Sequence, residues 1–204
     1  MEPELSQTEK PEIYKEDTFN IVFAGNLGDA QGLDLMVDAA RELKESGICW
    51  YLVGDGRAKS RLEQKVADCG VSENVIFVGR VSEKEADRYV HFADCAYLSF
   101  KDNKIFNMTL PAKLQTYLAC GTPILAAAGG ESARLVRENG IGFVCRPQLG
   151  ELVDTVKQAA SISQQQHCAM GEAARAYYEA HFTMDALVTE LEKMLQEEIY
   201  KQES

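Results

Sequence analysis

Between Phe19 and Cys145 six short apolar runs alternate with segments of helical period, and this rhythm leaves few folds open. The runs are FNIVFAG, ICWYLVGDG, NVIFVG, CAYLSF, PILAA and GFVC, rich in β-branched and aromatic residues and near-continuous in their hydrophobicity. Strands of that kind are buried on both faces, as in a parallel sheet covered by crossover helices. The segments between them, GLDLMVDAARELKESG, RAKSRLEQKVADCG, SEKEADRYVHFA and ESARLVREN, repeat their apolar residues at helical spacing. Ser82 followed by Glu85 has the form of a capping box. The expectation is an α/β domain: a Rossmann-like, doubly wound, parallel six-stranded sheet with helices on both faces. Beyond Leu149 only helical pattern remains, about 149–161, 164–181 and 184–200, which adds C-terminal helices. Residues 1–18 lack periodicity and carry two prolines, so they are expected to be a linker or disordered lead-in. The domain itself is placed at 19–200, with a tail at 201–204.

All strands of a parallel sheet point one way, and ligands of such folds bind beyond their carboxyl ends. Five loops therefore matter: Gly25–Gln31, Gly54–Arg57, Gly79–Ser82, Phe100–Leu110 and Ala127–Glu131. In the first, Gly25 and Gly28 let backbone approach a phosphate, or simply make the turn; Asn26 and Gln31 are neutral donors. The second offers Gly54, Asp55 and Arg57, with Asp55 either holding a ribose or capping the next helix, and Arg57, Lys59 and Arg61 forming either a site or a solvated face. The third presents Arg80 and Val81 beside exposed backbone. The fourth runs into NMTLPAKLQTYLACGTPIL, where Thr109 is expected to cap a helix beginning at about Leu110, with Pro111 near its first position. Lys113 then falls in the first turn, against the helix dipole. It is either a lysine snorkelling to the surface or the partner of an anion held at the helix amides, for which a diphosphate has the right size.

Charge and cysteine content narrow the function classes. The formal net charge is -11, but residues 1–17 and 185–204 each hold six acids and two lysines, so the body is only mildly acidic. An anionic small molecule is admissible there; a nucleic-acid surface, which needs a basic stripe, is not expected. Six cysteines are widely spaced with no C-x-x-C pair, and buried reduced thiols in a cytoplasmic protein are expected. No nucleophile elbow, P-loop or metal-ligand spacing occurs, and His91, His167 and His181 stand alone in helical segments. The candidate site binds something, and no residue in it marks itself as catalytic.

Taken in order, FAGNLGDAQGLDLMVDAARELK, YLVGDGR, NVIFVGRVSEKE and LPAKLQTYLACGTPILAAAGGES…ENGIGFVC resemble the C-terminal, donor-binding half of GT-B glycosyltransferases of family 4, and within it a branch that builds bacterial surface polysaccharides. The resemblance implies a retaining transferase and a nucleotide-sugar donor, a UDP-sugar first. Backbone near Arg80 and Val81 would meet the base, and Met108, Thr109, Leu110 and Lys113 would meet the diphosphate. It implies no cofactor and no metal, in keeping with the lack of an Asp-x-Asp motif. Many members carry arginine and lysine in the first loop where this chain has Asn26 and Gln31, and two glutamates where it has Met108 and Thr116. An N-terminal acceptor-binding domain is implied as partner, with any peripheral membrane association made through that half. The final segment, ARAYYEAHFTMDALVTELEKML, resembles the one that crosses back to brace it. A non-catalytic nucleotide-sugar-binding partner and a sugar-nucleotide epimerase are the alternatives; the latter would need acid–base groups in the cleft.

Overall fold

The structure is a computed structural model that describes residue 3, residues 9–101 and residues 107–202. Six strands, β1 (Phe19–Ala24), β2 (Ile48–Val53), β3 (Val75–Gly79), β4 (Cys95–Ser99), β5 (Ile124–Ala127) and β6 (Gly142–Cys145), form one sheet in the order β3-β2-β1-β4-β5-β6. Every pairing is parallel. Between and after them run α1 (Asp34–Glu42), α2 (Lys59–Asp68), α3 (Glu83–Phe92), α4 (Ala112–Ala119), α5 (Gly130–Glu138), α6 (Leu149–Ser161), α7 (Gln164–His181) and α8 (Met184–Gln202).

Side-chain alternation along the strands builds two cores. Ile21, Phe23, Trp50, Leu52, Tyr97 and Leu125 face one, with α1, α2 and α6; Val22, Ala24, Tyr51, Val53, Leu98 and Ile124 face the other, with α3, α4, α5 and α7. This is why the strands read as continuous apolar runs. The expected fold is the observed one.

The strand order reverses between β1 and β4, the switch point at which such sheets open a crevice. The ladder shows the opening. Six residue pairs register β1 against β2, from Phe19↔Ile48 to Ala24↔Val53. Only Ile21↔Cys95 and Val22↔Ala96 register β1 against β4. Past that point the backbone of Ala24 needs another partner. It is the hydroxyl of Tyr117 on α4, which accepts from the Ala24 amide at 3.1 Å and has the carbonyls of Ala24 and Tyr97 each at 3.3 Å. Buried Tyr117 thus bridges the two parting strands and fixes α4 over the crevice.

Three expectations are corrected. The lead-in is docked over its last residues: Tyr14 is 4% exposed, donates to the Tyr89 carbonyl at 2.5 Å and packs edge-on to Tyr51, with ring centroids 4.4 Å apart. Lys15 adds an amide bond to the Tyr51 hydroxyl at 3.0 Å and an ammonium bond to the Glu73 carbonyl at 2.7 Å. A single aromatic anchor leaves no periodicity to read. Residues 1, 2 and 4–8 lie outside the described residues. Second, the cysteines are free as expected, but Cys168 is exposed and Cys69 only half-buried. At Ser82 the side chain accepts from the Glu85 amide, whereas a complete reciprocal box forms at Ser163 and Gln166, where none was read. The anchor makes a prediction. Tyr14→Phe keeps the ring contacts and loses one buried hydrogen bond, so it should lower stability by about 1 kcal/mol. Tyr14→Ala should cost about 3–5 kcal/mol. Urea denaturation of the whole chain measures both, and no change for Tyr14→Ala would mean that the lead-in is undocked in solution.

α7 lies across α4. The close approach needs Gly171, where a Cβ would sit 2.4 Å from the Gly121 carbonyl oxygen. Arg175 donates to the Ala119 carbonyl at 2.7 Å, at the last turn of α4. α8 then leaves the body, with Met184, Leu187, Val188, Leu191, Met194 and Leu195 exposed along one helical face. No described helix is long and apolar enough to cross a membrane.

Candidate functional site at the carboxyl edge of the sheet

The loops meet as the parallel sheet requires. The Gly25 amide bonds the Val53 carbonyl at 2.9 Å, Leu27 N bonds Asp55 O at 2.8 Å, and Gly54 N bonds Gly79 O at 2.8 Å, so the first three loops continue the sheet sideways beyond their strands. Gly54 makes this possible: at φ 133°, a Cβ there would lie 2.0 Å from the Gly25 carbonyl oxygen. The turn Asp29–Gln31 is clipped to the end of β4, where the buried Ser99 hydroxyl donates to the Gln31 carbonyl at 2.6 Å and Lys101 N bonds Ala30 O at 2.9 Å.

Into this junction comes Lys113. Its helix begins later than expected: Pro111 is the N-cap residue, no side chain caps α4, and Lys113 is the second helical residue. Thr109 is therefore not the cap; it is exposed, and its carbonyl accepts from Ser132 Oγ at 3.4 Å. Proline supplies the extended entry to the helix by its fixed φ, which a hydroxyl cap would otherwise stabilise. The amides of Ala112 and Lys113 head the helix. The Lys113 side chain does not snorkel outward. Its ammonium donates to Gln31 Oε1, lies 4.0 Å from the centroid of the Phe23 ring and 5.5 Å from that of Phe100, and is 3.6 Å from where a Cβ on Gly25 would be. Two aromatic faces and a neutral amide are its surroundings, and no described carboxylate forms an ion pair with it. Burial pushes its pKa down to about 7. Holding a lysine for which no described carboxylate supplies a counter-charge costs stability.

The other candidate cations are accounted for differently. Arg61 pairs with Asp29 at 3.1 Å and with Asp34, tying α2 to the first loop, and Lys59 lies 3.9 Å from Glu63. Of that basic cluster Arg57 alone forms no ion pair among the described residues, and it is exposed. Asp55 does not cap α2, whose N-cap is Ala58; its carboxylate accepts from the Gly56 amide at 2.8 Å and shapes its own turn. Asn26 is exposed, its side chain lodged between the backbones of Gly28 and Gly56. Arg80 is exposed and Val81 half-buried at the end of β3. In the fourth loop Met108 is 71% and Leu110 38% exposed. Thr116, half-buried, follows Lys113 by three residues and shares its side of α4.

Sequence reasoning missed Phe23 and Phe100, which shape the lysine's pocket, and Tyr117, which anchors its helix. Tyr117 had a signal, its position four residues after Lys113. It also missed how Asn107 meets the start of α5, where a Cβ on Gly130 (φ 66°) would lie 2.0 Å from the Asn107 carbonyl oxygen. His91 and His167 lie off this edge. His91 and His167 each have a ring nitrogen 3.0 Å from a backbone carbonyl, and His181 stacks on Tyr177. A cavity of about 730 Å³ at the opposite edge, between the ends of α3 and α4 and the start of α7, is where His91 and His167 sit, and no group of three or more potential metal ligands exists among the described residues.

Residues 6–177 match the family described as Glycosyl transferases group 1. The chain belongs to this family. It is 31% identical over 143 residues to the putative colanic acid biosynthesis glycosyl transferase WcaI of Escherichia coli K12, covering 68% of this chain and 35% of that one. It is 27% identical over 183 residues to a GDP-mannose-dependent phosphatidylinositol monomannoside mannosyltransferase of Mycobacterium tuberculosis, covering 86% and 46%. The crystal structure of Anabaena Alr3699/HepE in complex with UDP superposes with a TM-score of 0.75 at 18% identity, over 88% of this chain and 49% of that one, a likeness of fold. This group 1 glycosyl transferase chain thus spans between about a third and a half of the length of these proteins. Of the neutral residues Asn26 and Gln31, it is Gln31 that the Lys113 ammonium reaches from the facing helix.

Proposed function

We propose that this chain is the donor-binding half of a retaining glycosyltransferase of cell-surface polysaccharide or glycoconjugate biosynthesis, working in the cytoplasm on a nucleotide sugar, a UDP-sugar first. One observation carries the reading: at the β1/β4 switch point the Lys113 ammonium, which pairs with no described carboxylate, is presented from the first turn of a helix that no side chain caps. That arrangement asks for an anion, and the diphosphate of a nucleotide sugar fits it. The backbone beyond β3, at Arg80 and Val81, is where a base would lie, and Thr116 shares with Lys113 the side of α4 that faces the ligand. The diphosphate's charge falls to Lys113 and the helix amides, so the reading needs no bound divalent cation. No nucleic acid is involved.

The acceptor half belongs to a partner domain. The chain's partial span of its relatives and the exposed apolar face of α8 support this, since that face would otherwise stay in water. A sugar-nucleotide epimerase would need acid–base groups in the cleft, and His91 and His167 sit at the opposite edge of the sheet. The test is thermal denaturation with UDP-glucose, UDP-N-acetylglucosamine, GDP-mannose and ADP-glucose. A ligand at about 100 times its Kd adds about 2.7 kcal/mol, roughly 5–10 °C for a domain of this size. The purified chain alone should transfer no sugar to any acceptor. No shift with any of the four ligands at millimolar concentration would end the donor reading; a shift with GDP-mannose alone would replace the UDP assignment.

A further inference from the structure

The ammonium of Lys113 is enclosed by Phe23, Phe100 and the backbone of Gly25, and the partner presented to it, Gln31 Oε1, is neutral. Gln31 is itself held in place, because the Ser99 hydroxyl donates to its carbonyl at 2.6 Å and the carbonyl of the preceding residue, Ala30, accepts from the Lys101 amide at 2.9 Å. We propose that Gln31 is a positioning residue that holds Lys113 ready without a counter-charge, and that a nucleotide sugar's diphosphate supplies that charge, so that binding takes up a proton on Lys113. The inference rests on the donor-site reading above and adds a proton to it.

The described charged groups on the elements around the lysine are otherwise engaged or outward. α4 carries no other charged residue. On the first loop Asp29 pairs with Arg61. In the second, the Asp55 carboxylate is on the Gly56 amide. Beyond β4, Lys101 is exposed, and Asp102 and Lys104 lie outside the described residues. At the start of α5, Glu131 pairs with Arg134. What a carboxylate partner would do for this lysine, the ligand must do.

The balance is simple. In the free protein at pH 8, Lys113 is mostly the neutral amine, since burial holds its pKa at about 7. When the diphosphate arrives, two negative charges favour the ammonium, a proton moves from buffer to Nζ, and no covalent bond to the ligand forms. At pH 6 the lysine is already charged, and binding takes up little. Because the bound state holds the extra proton, affinity falls as pH rises above about 7, by as much as tenfold per pH unit.

The experiment is calorimetric titration of the chain with UDP-glucose and with GDP-mannose, whose esterified diphosphates do not titrate near neutrality, in buffers of different ionisation enthalpy. We expect close to one proton taken up per ligand bound at about pH 8 and little at about pH 6. Lys113→Met should bind weakly with no uptake. Gln31→Glu should give Lys113 a charge partner in advance and so abolish uptake at about pH 8, while Gln31→Met should keep the uptake and lose affinity several-fold. A role for Gln31 in folding alone would leave the proton count unchanged in both. Binding without uptake in the parent, or uptake that survives in Lys113→Met, overturns this inference and leaves the donor reading standing. An unchanged proton count in Gln31→Glu overturns the role given to Gln31. No binding of either nucleotide sugar overturns the donor reading and the inference with it.

Discussion

Lys113→Ala is expected to weaken nucleotide-sugar binding ten- to a hundredfold while the chain stays folded. A hydrogen bond to a charged group contributes about 1.5–3 kcal/mol, against about 0.5–1.5 for a neutral one, and Lys113 is the cation that the crevice encloses. Asn26→Ala should cost less, because its side chain is neutral and already packed against Gly28 and Gly56. Lys113→Arg should not restore full affinity: a planar guanidinium does not fit the space between Phe23 and Gly25 that a compact ammonium occupies. Arg57 is the competing source of charge, and its exposure argues for a loss of no more than about threefold in Arg57→Ala. Stability supplies a second readout with a definite sign. A lysine whose pKa is lowered on folding leaves the unfolded chain binding more protons between about pH 7 and the usual lysine range, so the parent gains stability as pH rises through that window. Lys113→Met should lack this rise and should melt above the parent at neutral pH. If Lys113→Ala bound as tightly as the parent while Arg57→Ala lost binding, the lysine would be a structural residue and the site would lie on the second loop.

How much of this was legible beforehand follows from what kind of signal each feature leaves. The strands were readable because a parallel sheet buries both faces, and FNIVFA or ICWYLV can be little else. The edge that carries the site was readable for the same reason, since strand direction decides where the loops gather. Lys113 was visible as a breach of the dipole rule within its own helix. What surrounds it was not. Phe23 lies ninety residues away and looks like any strand residue; only the sheet's register and the parting of β1 from β4 turn its ring toward the ammonium. The start of α4 was misplaced by local preference, because Thr109 is a good cap by type, while Pro111 sets the entry by geometry. Tyr14 was illegible for a different reason: one anchor in a polar stretch has no period, and its partners Tyr51 and Tyr89 come from distant elements.

Gly54→Ala should be among the most damaging single-methyl changes in the chain, costing about 3 kcal/mol or more. Two effects add. The residue stands at φ 133°, a conformation that side-chain-bearing residues rarely adopt, and the new Cβ would lie 2.0 Å from the Gly25 carbonyl oxygen, 3.0 Å from its carbon and 3.4 Å from its nitrogen. That obstacle is backbone, so no side chain can swing aside. Relief requires the first and second loops to part, which breaks the Gly25 N to Val53 O and Leu27 N to Asp55 O bonds. Gly140→Ala separates the two effects: its φ is 63°, nothing lies within 4 Å of a Cβ there, and it should cost only the left-handed strain, about 1–2 kcal/mol. Denaturant titration compares the variants, and nucleotide-sugar titration adds the functional half. Because Gly25 lines the space around the Lys113 ammonium, Gly54→Ala should also weaken binding at temperatures where it remains folded, whereas Gly140→Ala should bind like the parent. Equal destabilisation by the two variants would mean that the loops separate freely, and the tight junction of the first two loops would not be what shapes the lysine's pocket.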